Sequence, residues 1–317
     1  MSIIRIILRY SRNNLAKVPA VTLFPCFMVP KEHDPPMALE SRLRKMLGST
    51  MRTGLGGEGV LRTEGREAEA IAVLESAFKN GIRYFDSAPA YAGSERYQGH
   101  FWRRNPDRRN QAFQAGKSAQ RESAVAEAEL SRTLSRLERD TLGLWQIHDM
   151  RSREDVRVIE SPGGALQAFT AARDTGLVQG IGVTGHHDPA VLLHAVTNWD
   201  VDAVLLPVNP VEAAIGGFLD RVVPAARERG IGVVGMKVLG AGQFLFPDQG
   251  LSAENLICFA LAQDTDMVIV GCSTPAEAEM LARLGQKPRA MGEEEQARLV
   301  ETVRPYADRL AFYRGTI

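Results

Sequence analysis

Asp86, Lys117 and His148 follow one another at intervals of 31 residues. Each comes directly after a short, largely apolar run: Ile82–Phe85, Ala112–Gly116 and Leu142–Ile147. Each is therefore expected where a strand ends. Tyr91 follows Asp86 by five residues on the same loop. A lysine beside a tyrosine stabilises the phenolate and draws the phenol down from its usual value of about 10. Asp86 would neutralise Lys117 and make its burial tolerable. Tyr91 would then be a tunable proton donor, and His148 could hydrogen-bond a carbonyl oxygen and fix its orientation. Such a group protonates an oxygen as charge develops there, as carbonyl reduction requires. The hydride must come from a cofactor, since no side chain supplies one. Two other readings use the same residues. Asp86 and Lys117 could be a structural ion pair beside an ordinary loop aromatic, or Lys117 could form a Schiff base as strand-end lysines of barrel aldolases do.

Positioning these side chains calls for regularly repeated strands. Candidate strands are Thr53–Gly57, Tyr84–Phe85, Ala112–Gln114, Leu142–Ile147, Gly180–Val183, Ala203–Pro207, Gly232–Val238 and Met267–Val270. They are short, apolar on both faces and bounded by glycine, as buried parallel strands are. Amphipathic helices separate them. Ile71, Leu74 and Phe78 share one face, and Leu130, Leu134 and Leu137 share another. Asp188-Pro189 and Thr274-Pro275 read as helix N-caps followed by proline, and Gly81, Gly176 and Gly230 as helix ends. Eight such units predict an α/β fold, a single-domain (β/α)8 TIM barrel over residues 37–317. Gly54-Leu-Gly56-Gly57-Glu-Gly59 matches a dinucleotide fingerprint. It lacks both the strong preceding strand and the helix opening on its last glycine, so it reads as a tight loop after the first strand.

The chain of 317 residues carries 38 basic and 38 acidic side chains, a balance that argues against nucleic acid as a partner. Cys26, Cys258 and Cys272 are too few and too far apart for a disulfide framework or a metal cluster. No apolar run reaches the roughly 18 to 20 residues of a membrane span. Residues 1–36 differ from the rest: no acid precedes Glu32, and Arg5, Arg9, Arg12 and Lys17 alternate with apolar residues. We read them as an extension outside the barrel, a mis-assigned start or a disordered tail before Met37. The expected location is then cytoplasmic, or mitochondrial if the extension is a transit peptide. The extension holds five basic and two acidic residues, so the zero balance conceals +3 there and −3 in the remainder.

The string Gly81-Ile-Arg-Tyr-Phe-Asp86-Ser-Ala-Pro-Ala-Tyr91, followed by Ala-Gly-Lys117 and Gln-Ile-His148, resembles the Asp-Tyr-Lys-His tetrad of the aldo-keto reductases. The resemblance runs from about Leu47 to about Leu284. It includes IGVTG at 181–185, LLPVNP at 205–210 and MKVLGAG at 236–242. It is nearest to a prokaryotic branch whose longer members append a ferredoxin-like tail, although no C-x-x-C-x-x-C occurs here. The resemblance implies an NAD(P)H-dependent reduction of a small-molecule aldehyde or ketone, or else a cofactor-sensing regulatory barrel. It implies nicotinamide contacts where the fifth strand ends, at Thr184 and Gly185, where the family has Ser-Asn. The family's strand-six glutamine falls near Leu205 and its stacking aromatic at Met236, leaving Asn209 or Lys237 as replacement donors. The pyrophosphate would cross the loop of Lys237, Leu239, Gly240 and Gly242. The adenosine end would meet Gly271, Ser273 and Thr274 at a helix N-terminus. Glu277 stands where members selective for the 2′-phosphate have a basic residue, which implies weakened use of NADPH and leaves the choice with NADH open. His186-His187-Asp188 invites a metal reading, but neighbouring loop histidines are expected to point apart and Asp188 to cap a helix. No metal is expected, and His186 is read as a substrate-side residue. Oligomeric state leaves no signal.

Overall fold

The computed structural model describes residues 40–48 and 51–315; the extension inferred for residues 1–36 lies outside them. Eight strands alternate with helices: β1 Thr53–Leu55, β2 Tyr84–Asp86, β3 Phe113–Ser118, β4 Leu142–Ile147, β5 Val178–Thr184, β6 Ala203–Pro207, β7 Gly232–Met236 and β8 Met267–Val270. They close in sequence order into a parallel barrel, with β8 pairing back onto β1. The expected α/β class and (β/α)8 TIM barrel are observed.

Several boundaries differ from the sequence expectation, with β1 stopping at Leu55, β2 including Asp86 and β5 running from Val178 to Thr184; two further differences bear on the site. β3 continues to Ser118, so Lys117 sits inside a strand rather than beyond one. Lys117 and Ser118 are fully buried, and their polar atoms are satisfied by Asp86 and Glu129. That partnership lets a polar stretch continue as buried strand. β7 stops at Met236 because Lys237 turns into the left-handed region at φ 56°.

Tyr84, Ala115, Leu144, Ala203, Leu205, Val234 and Met267 fill the barrel interior, and Leu43 of the short helix Arg42–Leu47 joins that cluster. A larger apolar layer lies between the strands and the surrounding helices, where Trp145 stacks on Phe169 at 3.6 Å. Several turn signals act as expected. Asp188 accepts from the Ala190 N–H at 2.8 Å, and Gly81, Gly176 and Gly230 all adopt positive φ. After β8 the chain runs through helices Pro275–Gln286 and Glu293–Val303 to a final turn, Phe312–Arg314, whose Tyr313 is buried. Among the described residues no helix is long and apolar enough to cross a membrane.

Candidate active site

The barrel register brings the four sequence-derived residues together. Asp86 ends β2 opposite Ala115 of β3, and Lys117 two residues further along β3 lies opposite Gln146 of β4. His148 is the first residue past β4. The Lys117 ammonium donates to Asp86 Oδ2 in a very short ion pair and to the Ser87 carbonyl at 3.2 Å. Its Nζ lies 4.8 Å from the centre of the Tyr91 ring. The His148 ring meets Tyr91 edge-on, with centroids 5.6 Å apart.

Sequence reasoning missed the residues that hold this group in place. Gln98 donates to the Asp86 carbonyl at 2.8 Å and accepts from Gln114 at 2.9 Å; the Gln114 side-chain oxygen in turn accepts from Trp102 at 3.0 Å. Gln98 and Gln114 are fully buried. A helical glutamine ordinarily reads as solvent-facing, so nothing in the sequence marked Gln98. The Arg62 guanidinium sits 5.4 Å from the Tyr91 ring centre. The glycine loop did carry a signal, a close approach to Asp86 and Tyr91. A Cβ at Gly57 would stand 2.8 Å from both the Asp86 carbonyl oxygen and the Tyr91 ring. Only glycine allows that approach. Gly57→Ala is therefore expected to push Tyr91 out of place and lower kcat by about tenfold to a hundredfold. Steady-state kinetics beside a melting curve checks this; an unchanged kcat in a folded variant would contradict it.

Burial governs the electrostatics. It pushes the Tyr91 phenol well above its ordinary value, and the Asp86 carboxylate pushes it further. The expected lowering by Lys117 is not seen, because the Lys117 charge is already neutralised by Asp86 and burial outweighs what remains. Tyr91 thus keeps its proton near neutral pH. Burial raises Asp86 and lowers Lys117, while their mutual attraction opposes both shifts. Burial, and then the Lys117 charge, hold His148 down at about 3. It is a neutral imidazole able to donate one hydrogen bond.

A cavity of about 570 Å³ opens from this group. Asp86 and Tyr91 stand on its wall, which continues through Met236, Lys237, Leu239 and Gly242 to Gly271, Ser273 and Glu277. Thr184, Gly185, Asn209, Gly240 and Thr274 are not on that wall. Asn209 is fully buried and its amide is used inside the fold. It donates to the Lys237 carbonyl and the Tyr313 hydroxyl, both at 3.1 Å, and accepts from the Glu212 N–H at 3.0 Å. Thr274 caps its helix by accepting from the Glu277 N–H at 3.3 Å, and the Glu277 carboxylate accepts from the Ser273 N–H at 2.7 Å. Glu277 thus holds the backbone just before this helix, on the cavity wall.

The two loop histidines correct the sequence expectation. They do not point apart: their rings lie 4.3 Å from one another at 30°, and both Nε2 atoms face Asp149. The cause is the C-terminal turn, whose successive carbonyls at Tyr313 and Arg314 each engage one Nδ1. His186 does not line the cavity.

The sequence profile described as the Aldo/keto reductase family matches residues 50–256. A curated relative, D-threo-aldose 1-dehydrogenase from Pseudomonas sp, is 28% identical over 204 residues, which is 55% of this chain and 60% of that protein. The chain thus spans less than two thirds of that relative. Among solved structures, the holo form of an aldo-keto reductase from Bacillus halodurans superposes with a TM-score of 0.65 at 17% identity, covering 79% of this chain and 91% of that one. An aldo/keto reductase from Klebsiella pneumoniae in complex with NADP and acetate gives a TM-score of 0.65 at 17% identity, covering 80% and 91%. At such identities the structures speak for the fold alone, and the profile match over most of the barrel settles the affiliation. The chain belongs to the aldo/keto reductase family.

Proposed function

We propose that this protein is a nicotinamide-dependent oxidoreductase that interconverts an aldehyde or ketone and its alcohol, with Tyr91 as the acid. The observation that carries this reading is a buried, protonated phenol on the wall of a cavity of about 570 Å³, flanked by a neutral imidazole and a buried ammonium. The cavity wall suits an elongated anionic cofactor. Gly242 takes φ 86° with open space around it, and Lys237 and Ala241 are also left-handed. That loop exposes backbone and one ammonium where a pyrophosphate would lie. When bound, a reduced nicotinamide supplies the hydride. His148 donates its N–H to the substrate oxygen and orients it. Tyr91 gives its proton to that oxygen as negative charge builds. The phenolate left behind is stabilised by the Lys117 ammonium, which Asp86 holds in place. Run in reverse, the Tyr91 phenolate takes the alcohol proton.

The Schiff-base reading loses support, since Lys117 is fully buried and engaged with Asp86. The curated relative's name makes aldoses the first substrates to screen. The buried free thiols Cys258 and Cys272 fit a reducing, cytoplasmic setting. The test is loss of the reduced-nicotinamide absorbance when purified protein meets a panel of aldoses and simpler aldehydes. Turnover of any member supports the reading. A cofactor-dependent fluorescence change without turnover of any would favour a cofactor-sensing barrel instead.

Glu277 bears on the choice of cofactor. Its carboxylate already takes the Ser273 N–H that a phosphate would otherwise use. We expect a higher KM for NADPH than for NADH. Glu277→Gln, which keeps the hydrogen bond and removes the charge, should narrow that ratio by about fivefold, on the order of 1 kcal/mol. Equal KM values in the unmodified protein would contradict this.

A further inference from the structure

We propose that Asp149, His186 and His187 form a site for a divalent transition-metal ion of the zinc class, which fastens the C-terminal turn to the barrel beside the active site. The donor atoms of the three side chains all lie within 4.8 Å of one another. Asp149 Oδ1 stands 3.2 Å from His186 Nε2 and 3.4 Å from His187 Nε2. Ligands of tetrahedral zinc, bonded at about 2.0–2.1 Å, are separated by about 3.4 Å.

The protonation pattern points the same way. His186 Nδ1 bonds the Tyr313 carbonyl and His187 Nδ1 bonds the Arg314 carbonyl. A carbonyl can only accept, so each Nδ1 donates a proton to its carbonyl, and both Nε2 atoms face Asp149. Arg151 holds the other carboxylate oxygen, Oδ2, through Nε at 2.8 Å. Oδ1 and His187 Nε2 are buried without a hydrogen-bond partner. Three potential ligand atoms thus converge on one point. A single proton could bridge Asp149 to one histidine, whereas a cation of charge two satisfies all three.

Metal-bound histidines commonly donate their second nitrogen to a backbone carbonyl, which fixes tautomer and ring orientation. Both do so here. Asp149 also holds a left-handed backbone, φ 56°, a strained state for a non-glycine residue. The three side chains are about one-fifth exposed, so an ion can enter from solvent. Three protein ligands leave a fourth position for water. Two imidazoles and one carboxylate suit zinc better than calcium or magnesium, which prefer all-oxygen sets. The ligands join the loops after β4 and β5, and through the Nδ1 bonds the site grips Tyr313 and Arg314 as well.

The test is calorimetric titration of the metal-stripped full chain with zinc sulfate, repeated with His186→Gln and His187→Gln. One zinc should bind per chain, with affinity weakened about 100-fold or more in each variant. Cobalt(II) should give visible ligand-field bands that each variant loses. Zinc should also slow amide exchange in the C-terminal peptide of the unmodified protein, a readout that needs no variant to fold. Absence of zinc uptake, uptake unchanged in both variants, or exchange unaffected by zinc would overturn the proposal.

Discussion

Tyr91→Phe is expected to lower kcat by about a thousandfold, within the range of 10² to 10⁴ typical of a general acid. The loss should appear equally in kcat/KM, because the hydroxyl works only as charge develops on the substrate oxygen. Cofactor affinity should change little, since the ring stays and only the hydroxyl is lost. Stability should also hold. The ring packing is preserved, and among the described residues none hydrogen-bonds the Tyr91 hydroxyl, so no partner is stranded. The effect separates Tyr91 from an ordinary loop aromatic, whose replacement by phenylalanine would leave turnover within a few-fold. Single-turnover kinetics with fluorescence-monitored cofactor binding makes the measurement. Retained turnover would exclude Tyr91 as the acid.

Lys117→Met should have the second large effect, on stability as well as rate. Lys117 is fully buried and Asp86 is 1% exposed, so removing the ammonium leaves a carboxylate without compensation inside the barrel. Breaking a buried pair in this way costs about 3–5 kcal/mol, or about 10 °C in Tm for a chain of this size. The pH dependence has a definite sign. Burial already raises Asp86, and Lys117 is the chief influence lowering it. In the variant the folded-state value therefore rises further above the unfolded one. Folded protein then binds more protons than unfolded protein, so the variant loses stability as pH rises from the ordinary carboxylate range through the raised value. Adding Asp86→Asn should restore most of the stability while turnover stays low. Urea unfolding at several pH values checks both statements. A single variant as stable as the parent would contradict the buried-pair account, and recovery of turnover in the double variant would remove Lys117 from the chemistry.

The sequence made the barrel legible because its signals were local. Apolar runs bounded by glycine and helices opened by Asp188-Pro189 or Thr274-Pro275 need no knowledge of distant partners. The interval from Asp86 to Lys117 to His148 is one repeat of the fold, so the same regularity that marked the strands placed their ends side by side. What was not legible depended on partners far along the chain. β3 seemed to end before Lys117-Ser118 because those polar residues read as a loop until Asp86 and Glu129 are known to satisfy them. Asn209 looked available for a ligand, yet its amide is used by Tyr313, which lies more than a hundred residues away. His186 and His187 are turned together by carbonyls of the same C-terminal turn. The Tyr91 phenol was expected to fall toward neutrality, but Asp86 and burial act on it more strongly than a neutralised lysine does.

The central claim is that hydride passes to or from a carbonyl carbon while Tyr91 handles the proton on its oxygen. Mass spectrometry of the product formed with a nicotinamide cofactor deuterated at its transferable position tests that claim most directly. With any aldehyde the protein turns over, one deuterium is predicted on the carbinol carbon, in wild-type protein and in the slow residual turnover of Tyr91→Phe alike. Product without deuterium, or substrate trapped on Lys117 after borohydride treatment, would contradict it.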